Sequence, residues 1–227
     1  MIHIRNLSKS YGKKNILQQI ELQCKPGEIH GIVGENGAGK TTLFNCIAGL
    51  ESHEGEIYCT ESTSIKNTIG FLETNPEFLS KITGKEYLQL LCNARNRTNV
   101  HFDEMNIFEL PLQQYATTYS TGMKKKLALT GILLQENKIF ILDEPFNGVD
   151  IHSNIIIKEL LKSLQKKGKI ILLSSHIFST LYDTCDYLHY LKAGNLEKSV
   201  KKENFKMIEE LMKDTGLKAK LNRLNIK

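Results

Sequence analysis

Gly34-Glu35-Asn36-Gly37-Ala38-Gly39-Lys40-Thr41-Thr42 is the stretch from which the rest of this 227-residue chain is read. Before it, residues 28–33 alternate toward a short β-branched run, and after it Leu43, Ile47 and Leu50 recur at helical spacing. The order is strand, glycine loop, helix. In that order the glycines acquire a chemical meaning. Gly34, Gly37 and Gly39 let the backbone curl until successive N–H groups face a polyphosphate, an approach that a Cβ would obstruct. The helix opening near Lys40 adds its partial positive charge at the same point. Lys40 can reach the β- and γ-phosphates and the Thr41 hydroxyl can ligate Mg²⁺, so the pattern G-x-x-x-x-G-K-[ST] is complete. A glycine turn that merely joins strand to helix is the competing reading, and the full match between these flanks sets it aside.

Composition bounds the rest. Hydrophobic residues make up 41% and charged residues 24%, ordinary values for a globular protein. No apolar run approaches the roughly 18–20 residues that span a bilayer and the N-terminus lacks a signal-peptide pattern, so the chain is expected in the cytosol. Cys24, Cys46, Cys59, Cys92 and Cys185 follow no metal or redox spacing and read as reduced, small apolar residues. Residues 198–227 hold nine Lys/Arg against four Asp/Glu, an excess equal to the whole net charge of +5. A solvated helical face explains this basic tail, and contact with anionic headgroups or an acidic partner is the alternative. The tail has no aromatic interleaving, so no nucleic-acid partner is expected.

Taken in order, residues 1–25 read as strands with a turn at Tyr11-Gly12, and Pro26-Gly27 punctuates the chain before the phosphate loop. Tyr11 can stack on a purine or cover the sheet, and spacing alone does not choose. Gly49 ends the first helix. Residues 56–59 and 68–72 are short strands. Thr83-x-x-Glu86 is a capping box opening a helix with Tyr87, Leu88, Leu91 and Cys92 on one face. A small helical unit runs from about 76 to 118, or to about 136 with the apolar helix behind Ser120, whose start is expected to expose Lys124, Lys125 and Lys126. Residues 139–142 form a buried strand ending in Asp143-Glu144. A helix with Ile157, Leu160, Leu161 and Leu164 follows. A second buried strand, 170–173, closes on Ser174-Ser175-His176, and a hairpin turns at Ala193-Gly194-Asn195.

This alternation predicts a largely parallel sheet covered on both faces, with ligands at the carboxyl ends of its strands. Gly34, Asp143 and His176 each follow such an end. Asp143 can hold Mg²⁺ through water opposite Thr41, Glu144 can polarise the water that attacks the γ-phosphate, and His176 can hydrogen-bond either. Alone, a strand-end Asp-Glu reads as a surface or capping pair and a lone His as structural. Beside an intact phosphate loop both read as chemistry.

Five motifs in one order make the chain resemble the nucleotide-binding domain of ATP-binding-cassette (ABC) transporters through about residue 200. They are the phosphate loop, Tyr119-Ser120-Thr121-Gly122-Met123 at the signature, Ile139-Phe140-Ile141-Leu142-Asp143-Glu144 as Walker B, Asn147-Gly148-Val149-Asp150 as the D-loop, and His176 as the switch histidine. The resemblance implies a P-loop α/β fold with a mainly parallel core sheet, an N-terminal antiparallel β subdomain and an inserted helical subdomain. It places an ATPase domain at 1–200 and a basic helical appendage at 201–227. It implies ATP and Mg²⁺ as ligands, with adenine stacked on Tyr11 and phosphates held by residues 34–42. In a homodimer or heterodimer, Ser120 and Gly122 bind the γ-phosphate across the interface beside Asp150. Separately encoded permease subunits would hold the ATPase on the cytoplasmic face of the membrane.

Two positions depart from the family. Its Q-loop residue aligns with Thr74, leaving Glu73 adjacent as a substitute metal contact, and the signature carries Thr121 and Met123 where Gly and Gln are usual. The pattern Tyr-Ser-x-Gly-Met-Lys-x-Lys is similar to that of bacterial exporters for bacteriocins and antibiotics. A soluble assembly or repair ATPase, and a regulatory nucleotide-binding module with impaired hydrolysis, are the other readings.

Overall fold

The computed structural model describes residues 1–60 and 65–213. The chain begins with β1 (Ile2–Tyr11), which turns at Gly12 into β2 (Lys14–Cys24). With β4 (Glu54–Cys59) these form an antiparallel sheet of order β2-β1-β4. Asn6, at φ 49°, interrupts the alternation of β1, and the register with β2 shifts between Ile4 and Leu7.

The second sheet positions the chemistry. β3 (Ile29–Val33), β5 (Ile69–Leu72), β6 (Ile139–Leu142), β7 (Ile170–Ser174), β8 (Tyr187–Lys192) and β9 (Asn195–Lys201) lie in the order β5-β6-β7-β3-β8-β9. All neighbours are parallel except the β8-β9 hairpin. Strands buried on both faces read as unbroken apolar runs, as β6 does with Ile-Phe-Ile-Leu. Phe140 and Leu142 point into one core, and Ile139 and Ile141 into the other. Because β6, β7 and β3 are neighbours, Asp143, His176 and Gly34 follow adjacent strand ends, as the alternation predicts.

Among the described residues the α-helices are α1 (Lys40–Ala48), α2 (Gly84–Asn93), α3 (Thr121–Leu134), α4 (Ile151–Lys166), α5 (Phe178–Thr184) and α6 (Phe205–Lys213). The Thr83–Glu86 capping box is formed in both directions. Between α2 and α3, residues 95–115 form no regular helix; Asn96, Asn99 and Glu109 take positive φ, and the segment is held by buried Phe102, Phe108, Leu110 and Leu112. At the C-terminus, Phe205 and Ile208 of α6 are fully buried, with Tyr182 edge-on to Phe205, so α6 packs as part of the core. The remainder of the expected basic appendage, residues 214–227, lies outside the described residues.

The lysine run departs from the expectation. Lys124, Lys125 and Lys126 do not share an exposed helix start: Lys125 is 1% exposed, and its Nζ donates to the carbonyl oxygens of Glu144 and Asn147. Successive helical residues are rotated by about 100°, so three in a row sweep most of the circumference. A helix packed on several sides turns one of them inward.

A buried polar chain crosses from β3 to β9. The His30 and His189 rings are nearly coplanar, with centroids 5.2 Å apart and Nδ1 to Nε2 at 3.0 Å, an end-to-end imidazole pair. Glu28 lies 3.1 Å from His30 Nε2, Ser199 Oγ lies 2.8 Å from His189 Nδ1, and Tyr187 stacks on His30. Burial, then the neighbouring His30, pushes the His189 pKa down from 6.5 to about 3, and burial lowers that of His30 against the pull of Glu28. A depressed folded pKa means that this stability is fully present above the unfolded value of 6.5 and is lost as pH falls toward about 3. The thermal midpoint is therefore expected to drop on going from pH 6.5 to 4.5, and His189→Gln to flatten that drop. A wild-type midpoint that stays constant across the interval contradicts this account.

Candidate nucleotide site

β3 is buried at every position and delivers the chain to Gly34, where a Cβ would stand 2.2 Å from the carbonyl oxygen of Leu191 at the end of β8. Only glycine permits that approach. The loop then curls through Gly37 at φ 82° and Gly39 at φ 108° into α1, whose first turn has no side-chain cap. A Cβ on Gly37 would meet nothing within 4 Å, and Gly37 lines an open cavity of about 390 Å³. Uncapped N–H groups at a helix start beside such a cavity form an anion cradle.

The cavity is lined by Asn36, Gly37, Gly39, Lys40, Thr41 and Thr42 from the loop side and by Thr74, Asp143, Glu144 and His176 from the strand ends. Lys40 Nζ donates to the carbonyl oxygens of Gly34 (2.8 Å) and Glu35 (3.1 Å), spanning the loop from within. Burial lowers its pKa, and the charges of Glu144 and Asp143 oppose that. Ala38 packs beneath the loop and closes its turn with an N–H bond to the Glu35 carbonyl.

Asp143, 1% exposed, accepts hydroxyl hydrogen bonds from Thr41 (2.6 Å), Thr74 (2.7 Å) and Ser174 (2.5 Å). The Thr41 and Asp143 oxygens are adjacent hard donors at the cavity wall. They fit Mg²⁺, which is held by one or two carboxylates, water and substrate phosphates. Among the described residues no group of three or more His, Cys, Asp or Glu could hold a metal ion, so an all-protein cage is not the arrangement present.

Glu144 is buried at φ 53°, a left-handed conformation that costs a non-glycine residue about 1–3 kcal/mol. The turn aims its carboxylate into the cavity. Its N–H donates to Ser174 Oγ (2.9 Å), and Oε1 lies 2.7 Å from His176 Nδ1. Burial raises its pKa, with the charge of Asp143 adding to the shift and His176 and Lys40 opposing it.

Other expected residues lie elsewhere. Glu73, expected as a metal contact, is exposed and does not line the cavity; Thr74 does, because the chain leaves β5 with the following hydroxyl facing Asp143. Tyr11 is half-exposed and outside the lining, with Lys9 Nζ 4.8 Å from its ring centroid; Lys14 and Ile16, across the hairpin, form that wall instead. Asp150 caps α4, taking the Ser153 N–H at 2.8 Å and the Lys126 ammonium at 3.1 Å, and the Ser153 bonds hold its pKa far below the usual range. Its carboxylate is consumed locally. Ser120 caps α3, with Oγ accepting from the Met123 N–H, and neither it nor Gly122 lines this chain's own cavity. Lys14, Ile16 and Ser174 carry no motif of their own, and only their neighbours in the sheet place them at the site.

Gly37→Val is expected to fill the cradle while leaving the rest of the packing in place. Binding of a fluorescent ATP analogue should be lost, with the unfolding free energy falling only by the cost of a β-branched residue at positive φ, about 1–2 kcal/mol. Retained affinity contradicts the placement of the phosphates.

The ABC transporter family model matches residues 17–147. The chain is 31% identical to an uncharacterised ABC transporter ATP-binding protein of Bacillus subtilis, over 88% of this chain and 69% of that protein. It is 29% identical to the bacitracin transport ATP-binding protein of Enterococcus faecalis, over 97% and 77%. Among solved structures it superposes, with a TM-score of 0.81 and 25% identity, on a dimeric ATP-binding cassette in a post-hydrolysis state with ADP and Pi, covering 89% of this chain and 99% of that one. With the phosphate loop, Asp143, Glu144 and His176 gathered on one cavity, this chain belongs to the ABC transporter family as one of its ATP-binding, ATP-hydrolysing cassettes.

Proposed function

We propose that this chain powers export of a bacitracin- or bacteriocin-like compound by pairing with a second cassette around ATP. One observation carries the reading. The cavity gathers Lys40, Thr41, Asp143, Glu144 and His176, whereas Ser120 and Gly122 begin α3 outside it on the same chain. Each chain thus supplies half of two sites, and a second cassette completes both. The dimeric relative and the name of the bacitracin transport relative support this reading.

In the paired state the α1 N-terminus and Lys40 hold the β- and γ-phosphates from one side. The main-chain N–H groups and the capping hydroxyl at the start of the partner's α3 meet the γ-phosphate from the other. Glu144 takes the proton of the attacking water. Its elevated pKa makes it a stronger base than an exposed carboxylate, and His176, 2.7 Å away, orients it. Mg²⁺, held by Thr41 and Asp143, would neutralise charge developing on the phosphates. Cleavage removes the group that joins the two chains, and they part.

Among the described residues no helix is long and apolar enough to cross a membrane. Translocation is assigned to separately encoded membrane subunits, with this chain on their cytoplasmic face, a reading supported by the name of the bacitracin transport ATP-binding relative.

Glu144→Gln is expected to bind ATP, to lose about 10²–10⁴-fold in turnover and to accumulate as an ATP-bound dimer in light scattering. Full turnover in that variant removes Glu144 from the role of base. Wild-type phosphate release should rise more than linearly with protein concentration, since two chains build each site; strict proportionality at dilutions where light scattering shows monomers contradicts the shared site.

A further inference from the structure

Lys125 is the one lysine of its run that the helix turns inward, and the site described above gives it no task. It lies in the second turn of α3, five residues after the Ser120 cap, with 1% of its surface exposed. Its ammonium is not neutralised by a direct carboxylate contact. It donates instead to two main-chain oxygens, of Glu144 at 2.8 Å and of Asn147 at 3.0 Å. Burying an ammonium is costly unless its donors are satisfied, so this placement requires both bonds.

Both oxygens belong to one turn. The Asn147 N–H closes it onto the Glu144 carbonyl at 3.2 Å, Glu144 enters it at φ 53°, and Gly148 leaves it at φ 74°. The same turn receives the start of α3 from another side, since a Cβ on Gly122 would stand 2.6 Å from the Gly148 carbonyl oxygen. Lys126, next in the run, pairs with Asp150 where the turn passes into α4. The first two turns of α3 are thus seated on the segment that aims Glu144.

We infer that Lys125 is a positioning residue for ATP hydrolysis: it clamps the Glu144–Asn147 turn to α3, joining the helix start that meets the partner's nucleotide to the base that acts on this chain's own. This rests on the roles given above to Glu144 and the α3 start. The clamp gives each chain a rigid link between its two half-sites. A displacement of α3 on closing over the partner's γ-phosphate moves the carbonyl of Glu144 with it. A compact ammonium with three rotatable donors suits two carbonyls at different angles.

The test compares Lys125→Met, which keeps the stem and removes the donors, with Lys125→Gln, which keeps an amide donor on a shorter stem. Each is made alone and on Glu144→Gln, in the full chain. Turnover is counted per ATP-binding site, titrated with the fluorescent analogue, so that unfolded molecules do not contribute. Lys125→Met is expected to lower kcat at least tenfold with KM for ATP within twofold, and Lys125→Gln to fall between it and wild type. On Glu144→Gln, neither should lower the residual turnover further, because Lys125 acts through Glu144. Unchanged turnover per site in both single variants overturns the inference, as does an equal further loss on Glu144→Gln, which would mean that Lys125 acts elsewhere. Should Glu144→Gln itself retain wild-type turnover, the reading of Glu144 as base is what fails. If Lys125→Met does not fold, Lys125→Gln and its double variant carry the same two criteria.

Discussion

A carboxylate buried to 1% exposure must have its oxygens satisfied, and Asp143 draws the site together by meeting that demand. The hydroxyls it accepts come from three separate places: Thr41 at the start of α1, Thr74 after β5 and Ser174 at the end of β7. Each bond ties a strand end or helix start to β6. Ser174 serves twice, donating to Asp143 and accepting the N–H of Glu144, so the turn that aims the base is fixed by the group that would bind the metal. The cavity stays open because its walls are fastened to one another.

Charge in the cavity is balanced in a way that suits a polyanionic substrate. Lys40 is buried and held by the loop's own carbonyls, with Asp143 and Glu144 nearby to oppose the loss of its charge. Glu144 experiences the reverse: burial favours its neutral form, while His176 and Lys40 favour the ion.

The proposed half-site character rests on α3. Ser120 caps it, Lys125 and Lys126 fasten it to the segment after Walker B, and its start lies outside the cavity at this chain's own phosphate loop. A helix N-terminus fixed this firmly and left without a ligand within its own chain is suited to a nucleotide held by another. The same fastening consumes Asp150, which the D-loop resemblance put with the nucleotide-binding residues and which here caps α4 and pairs with Lys126.

What the sequence determined by itself is whatever rests on interactions between residues a few positions apart. The phosphate loop, the Thr83–Glu86 box, the Ser120 and Gly49 caps and the two-sided apolar strands are of this kind, because a turn, a cap or a strand period is written in neighbouring residues. Order along the chain also placed Gly34, Asp143 and His176 at strand ends. The tertiary structure alone decided which side chains share a space. Thr74 and not Glu73 meets Asp143, Lys14 and Ile16 and not Tyr11 wall the cavity, and Lys125 turns inward between two lysines of identical chemistry. These outcomes depend on which strand neighbours which, on the exit angle of a loop and on the rotation of a helix against its partners. None of those is encoded within the few residues that a motif spans.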